Sequence, residues 1–145
     1  MDYRNAFAIS ATGMNVEKLR LDISAVNLAN IHSSKGPDGK LFRPLHVTTV
    51  EGTTNFAVGF EQLSGAQLHG AQIHSIEETD VAPHKLYEPG NPDADEKGFV
   101  LMPGVNQVTE MVNIASALRA YEANVVALNA AKTMALKALE LGGSQ

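Results

Sequence analysis

Glycine and proline divide this chain into three parts, and that division limits the fold more than any other feature of the sequence. Residues 1–30 hold one Gly and no Pro, residues 31–104 hold nine Gly and all six Pro, and residues 105–141 hold neither. Both residue types interrupt helices, Gly through backbone entropy and Pro through a missing N–H and a clash with the preceding turn. The pattern predicts a helix at each end and an irregular, β-rich middle. At 145 residues the chain has the length of one domain, and no internal repeat is present.

The first helix carries two apolar stripes. At ~100° per residue, Phe7, Ala11, Met14, Leu21, Ala25 and Leu28 share one face, while Ile9, Val16, Leu19, Ile23 and Val26 lie nearly opposite. Ser10, Gly13, Glu17, Arg20, Ser24 and Asn27 form a polar strip between them, and Asp2 is placed to cap the start. A surface helix needs only one apolar face. Two such faces call for neighbours on two sides, and the chain has only one other long helix to offer, so the second points to other protein copies.

The last segment spans ~55 Å as a single helix. Met111, Ile114, Leu118, Tyr121, Val125, Leu128, Ala135 and Leu139 follow the first and fourth positions of a heptad, broken by Lys132, and this reads as a coiled-coil seam. Nine alanines between residues 115 and 138 favour helix and permit close approach on the other faces. In the middle, residues 35–40 are a strong turn signal. Strands are expected within 41–50, interrupted at Pro44, and within 56–60 and 67–77, two to four in all, followed by an extended stretch carrying Phe99, Val100, Leu101 and Met102.

Charge and chemistry narrow the function. Seven acids against two bases in residues 77–97 account for the whole net charge of −5. No basic field is left to attract nucleic acid. The absence of cysteine excludes disulfides and thiolate metal sites. No run of apolar residues reaches the length of a membrane span, and the N-terminus lacks the layout of a cleaved secretory signal. The five histidines (32, 46, 69, 74 and 84) show no metal-ligand spacing. Asp93 and Asp95 with Gly98 resemble the start of a calcium loop, but Lys97 and Gly104 occupy two ligand positions, so a surface turn is expected. No phosphate-binding, dinucleotide-binding or nucleophile-elbow motif is present. Catalytic, cofactor and metal residues are therefore expected to be none, and no small-molecule substrate is implied. Asn27 and Asn30 either end the first helix or bridge to neighbouring backbones; their spacing allows both.

The stretch Leu21-Asp22-Ile23-Ser24-Ala25-Val26-Asn27-Leu28-Ala29-Asn30 resembles the N-terminal signature of bacterial flagellar axial proteins. Glu110-Met111-Val112, followed by Arg119-Ala120-Tyr121-Glu122-Ala123-Asn124-Val125, resembles their C-terminal counterpart. The connector from Tyr87 to Asn106, with Glu88-Pro89-Gly90-Asn91-Pro92 and Gly98-Phe99-Val100-Leu101-Met102-Pro103-Gly104, is similar to that of basal-body rod subunits within the family. Val26 and Leu118 depart from the family pattern, which often has Asn and Ser there.

The resemblance implies a mainly α subunit. Its terminal helices (1–30 and 105–141) would form an antiparallel coiled-coil pair around a small β-rich middle (31–104). It implies a structural, non-enzymatic rod protein that is exported by the flagellar type III apparatus without a cleaved signal and polymerises in the periplasm as part of the motor's drive shaft to the hook. Expected partners are copies of itself, other rod subunits, basal-body proteins and the export apparatus. Leu21, Ile23, Asn27, Asn30, Met111, Leu118, Tyr121, Asn124, Val125 and Leu128 are the residues expected at assembly interfaces. The competing reading is a helical adaptor or export chaperone that uses the same stripes on a client helix.

Overall fold

The computed structural model describes residues 3–36, 39–51 and 70–142. Helix α1 runs Tyr3–Ala29 and helix α2 Gln107–Gly142, close to the limits that the glycine and proline pattern sets. Asn106 caps α2: the Thr109 N–H donates to its side-chain oxygen (3.1 Å), satisfying one of the free amides of the first turn. The expected cap Asp2 and the expected strand at 56–60 lie outside the described residues.

Between the helices stand two antiparallel strand pairs, β1 (Leu45–Glu51) with β2 (Ala71–Glu78) and β3 (His84–Tyr87) with β4 (Phe99–Met102). Strand β1 begins at the residue after Pro44, where backbone donors become available to the ladder, and an irregularity between Thr48 and Thr49 shifts its register against β2. The extended stretch around Phe99 is β4. Its partner β3 is a four-residue strand with no alternating pattern, and the sequence carries no signal for it. Tyr87 and Phe99 pair across the hairpin edge to face, with ring centroids 5.3 Å apart. The loop between these strands closes tightly at Gly98, whose φ of +80° is open to Gly and strained for other residues.

Helices α1 and α2 share the largest contact in the molecule, and β1 and β2 both pack on α1. The helices run antiparallel: Asn27 meets Glu110, and Gly13 meets Asn124. The side of α1 turned to α2 is the polar strip. Ser10, Ser24 and Asn27 are buried, with Asn27 only 2% exposed. On α2 the facing line is Glu110, Ala117, Asn124 and Ala131, seven residues apart, with half-buried Ile114, Tyr121, Leu128 and Ala135 beside it. The expected seam is thus rotated by one heptad position. Ile114, Tyr121, Leu128 and Ala135 keep their inward place, whereas Met111, Leu118 and Leu139 are exposed. Lys132 no longer interrupts a seam, because its line is not in one.

Small residues cause the rotation. Large side chains on either facing line would hold the helices apart, whereas Gly13 and Ala117 let the backbones approach. A Cβ on Gly13 would sit 2.8 Å from the Asn124 side-chain oxygen, and that amide is fixed by donating to the Ala120 carbonyl (2.9 Å). Gly13→Ala normally gains ~1 kcal/mol inside a helix. Here urea unfolding of Gly13→Ala is expected to show no gain. In an Asn124→Ala background the same change recovers the gain of ~1 kcal/mol, because the obstruction is gone. Equal gains in both backgrounds would show that Asn124 sets no limit on the approach.

The buried apolar set among the described residues is Val16, Val47, Val100, Met102, Val105, Ala117 and Ala131. It contains no Leu, Ile or Phe. Those larger side chains, among the described residues, are exposed or half-buried, and α2 alone exposes Val108, Met111, Val112, Leu118, Val126, Met134, Leu136, Leu139 and Leu141.

Candidate functional site

The junction of α1, β1 and α2 is locked by one side chain. The Asn27 amide donates from Nδ2 to the Leu45 carbonyl (2.9 Å) and to Glu110 Oε1 (3.1 Å), and its Oδ1 accepts from the Leu45 N–H (2.8 Å). An amide side chain thereby pairs with a strand backbone in both directions, as a neighbouring strand would. Asn30 donates to the Val26 carbonyl (2.9 Å) and accepts from the Ser33 hydroxyl (3.2 Å), closing the end of α1. It does so without the left-handed conformation, since no non-glycine residue among those described has positive φ. The sequence reading places Asn27 and Asn30 at interfaces between subunits. In the structure Asn27 bonds β1 and α2 and Asn30 closes the end of α1, so both amides have hydrogen bonds within the chain.

The remaining expected residues fall into two groups. Tyr121, Asn124 and Leu128 face α1, with Asn124 against Gly13, so they shape the helix pair. Met111 and Leu118 point outward, and Leu21, Ile23 and Val125 are half-buried at the edges. The two departures from the family pattern, Val26 and Leu118, are both exposed. Val112 and Val126 are not among the expected residues, yet at 61% and 68% exposure they are barer than Met111 and Leu118. The signal that reveals them is the small and polar line Glu110, Ala117, Asn124, Ala131: once that line is taken as inward, Val112 and Val126 fall on the far side.

A cleft of about 470 Å³ opens between α1, the β1–β2 pair and the first turns of α2. Ile23, Val47, Val81 and Val105 form apolar walls, and Glu17, Arg20 and Glu110 contribute charge. Arg20 donates to Glu17 (3.1 Å) and to the Thr49 hydroxyl (3.3 Å).

In the acidic connector, most of the polar side chains with hydrogen bonds serve its own turns. Asp95 accepts from the Lys97 and Phe99 N–H groups (both 2.9 Å), and Asn91 accepts from the Asp93 N–H (3.0 Å). Asp93 ties the connector to the segment after α1, accepting from Lys35 Nζ (2.6 Å) and the Ser34 hydroxyl (2.7 Å). The Lys35 bond, with help from Ser34, holds the Asp93 carboxyl below the usual carboxylate range. The turn expected at 93–98 is present. Among the described residues, no group of three or more His, Asp or Glu side chains converges, and no helix is long and apolar enough to cross a membrane.

Residues 96–141 match the family described as flagellar basal body rod FlgEFG protein, C-terminal. Over 140 residues the chain is 44% identical to the flagellar basal-body rod protein FlgC of Escherichia coli O157:H7, covering 95% of this chain and 96% of that one. It is similar to the FlgC of Salmonella typhimurium at 43% identity over 95% of this chain and 96% of that one. The corresponding figures for the FlgC of Yersinia enterocolitica are 41% identity, 98% of this chain and 99% of that one.

Proposed function

The chain belongs to the FlgC family of flagellar basal-body rod proteins, and we propose that it builds the rod by burying the outward faces of α1 and α2 against neighbouring subunits. As a structural subunit of the flagellar basal body, it works through contact with other basal-body components. The observation that carries the proposal is the inverted helix pair. Small and polar side chains form the most buried line of the contact between the helices, and α2 leaves large apolar ones such as Val108, Met111, Val112, Leu118 and Val126 exposed. Such a face is costly to leave in water and becomes favourable in a wall of helices, at ~25 cal/mol for each Å² of apolar area removed from solvent.

On this reading the two helices act as one antiparallel coiled-coil unit, repeated around the rod, and transmit torque toward the hook. The subunit crosses the inner membrane through the flagellar export apparatus and assembles in the periplasm. Its partners are further copies of itself and other rod subunits. Its role is structural, not catalytic. The adaptor or chaperone reading is not favoured, because the relatives are rod proteins over nearly their whole length.

The absence of cysteine provides a clean test. In Val112→Cys, the introduced thiol is expected to react readily with a maleimide in the free subunit and about tenfold more slowly in purified basal bodies, where a neighbour covers it. Ser24→Cys, in the buried strip, should react slowly in both. Equal reactivity of the Val112→Cys thiol in the free and assembled states would overturn the proposal.

A further inference from the structure

Glu110 is 9% exposed, yet it receives only the Asn27 amide, and no cation lies within ion-pair distance of it among the described residues. Within the chain its charge is met only by a neutral amide, so a cation that enters the cleft finds a carboxylate with acceptor capacity to spare. The nearest candidate, Arg20, lines the same cleft but is engaged on Glu17 and Thr49. The cleft has room for a side chain from outside, and its apolar walls suit one that arrives on an apolar surface.

We infer that the Glu110 cleft receives the guanidinium of Arg119 from a neighbouring copy of this chain. Arg119 is exposed and makes no ion pair within its own chain among the described residues, not even with Glu122 one turn away. It emerges from a patch of Val112, Ala115, Ala123 and Val126, which lie one and two turns to either side of it on α2. An arginine set in an apolar helix face matches a carboxylate that lines a partly apolar cleft, in charge and in the character of the surroundings. The planar guanidinium can also approach a carboxylate with two parallel hydrogen bonds. Lys132 and Lys137, the other basic residues of α2, carry a compact ammonium that cannot offer a carboxylate two parallel hydrogen bonds from one planar group.

Position sets the geometry of the contact. Nine residues at ~100° each place Arg119 on the side of α2 opposite Glu110. Each subunit therefore carries the receiving cleft on one side and the inserted cation on the other. Such a contact cannot close on itself as a two-fold dimer and instead repeats head to tail, as in a ring or a helical polymer.

This pairing rests on the proposal that the outward helix faces are assembly surfaces. The test replaces the gene for this chain in motile cells with Glu110→Gln, Arg119→Gln or both, and measures rod content in basal-body preparations at matched expression. Gln at 110 keeps an oxygen for the Asn27 amide, so the unfolding midpoint of the isolated subunit should hold. Each single variant is expected to lower rod content about tenfold, and the double variant no further, because one contact is lost only once. Normal rod content in either single variant, or losses that multiply in the double, would overturn the pairing. Maleimide protection of the Val112→Cys thiol, measured in the same strains, separates the two ideas: if it persists while the pairing fails, the outward-face reading stands by itself.

Discussion

Leu118→Asp combined with Val126→Asp is expected to abolish rod assembly and swimming while leaving the isolated subunit folded. Both side chains project from α2 into solvent, at 47% and 68% exposure, so the free subunit loses almost no packing when they change. Surface substitutions of this kind shift stability by about 0.5 kcal/mol or less. In the assembled wall the same positions would lose ~1.5 to 3 kcal/mol each of apolar burial, and each would gain an anion with no counter-charge. The penalty recurs at every copy. Circular dichroism and urea unfolding should match the parent, and basal-body preparations should contain no rod. Motile cells making the variant at normal levels would refute this. Leu128→Asp is a poorer probe, because Leu128 faces α1 and its loss would damage fold and assembly together.

Asn27→Ala is expected to destabilise the free subunit by about 3 to 5 kcal/mol. The change strips the Leu45 N–H and carbonyl of their side-chain partner and leaves Glu110 without its donor. An unmet buried backbone group costs ~1–3 kcal/mol, and a charged one more. A domain with total stability of about 5–15 kcal/mol has little room for such a loss. The Leu45 amide should lose its protection against hydrogen exchange, and the urea midpoint should fall. Ser24→Ala, three residues earlier on the same strip, offers a mild comparison. A loss below about 1 kcal/mol for Asn27→Ala would mean that water replaces the amide at little cost, and that the junction is not locked as described.

The ends of the helices were legible because Gly and Pro mark them directly, and β1 was legible because Pro44 stops its ladder on one side. The phase of the long helix was not. Met111, Leu118 and Leu139 look like a seam to any argument that places large apolar side chains inside, yet Glu110, Ala117, Asn124 and Ala131 occupy that place. Periodicity identifies which faces of a helix are apolar. It does not identify whether the same chain or another covers them, since both are drawn together by the same loss of water contact. Asn27 stands out in the sequence, but its partner does not, because that partner is the backbone of Leu45, eighteen positions away and invisible to any motif. Glu110 passed as part of a resemblance, and only its burial marks it as a charge in need of company.

The buried set of Val, Ala and Met102, with no Leu, Ile or Phe among the described residues, separates two properties that most proteins join. The residues that decide how long a lone subunit survives are Val16, Val47, Val100 and their neighbours. Those that would decide, on the proposed assembly, how firmly a finished shaft holds lie on the outside, at Val112, Leu118 and Val126. Each property can then be tuned without disturbing the other. A subunit arranged this way keeps its folding and its joining on separate side chains.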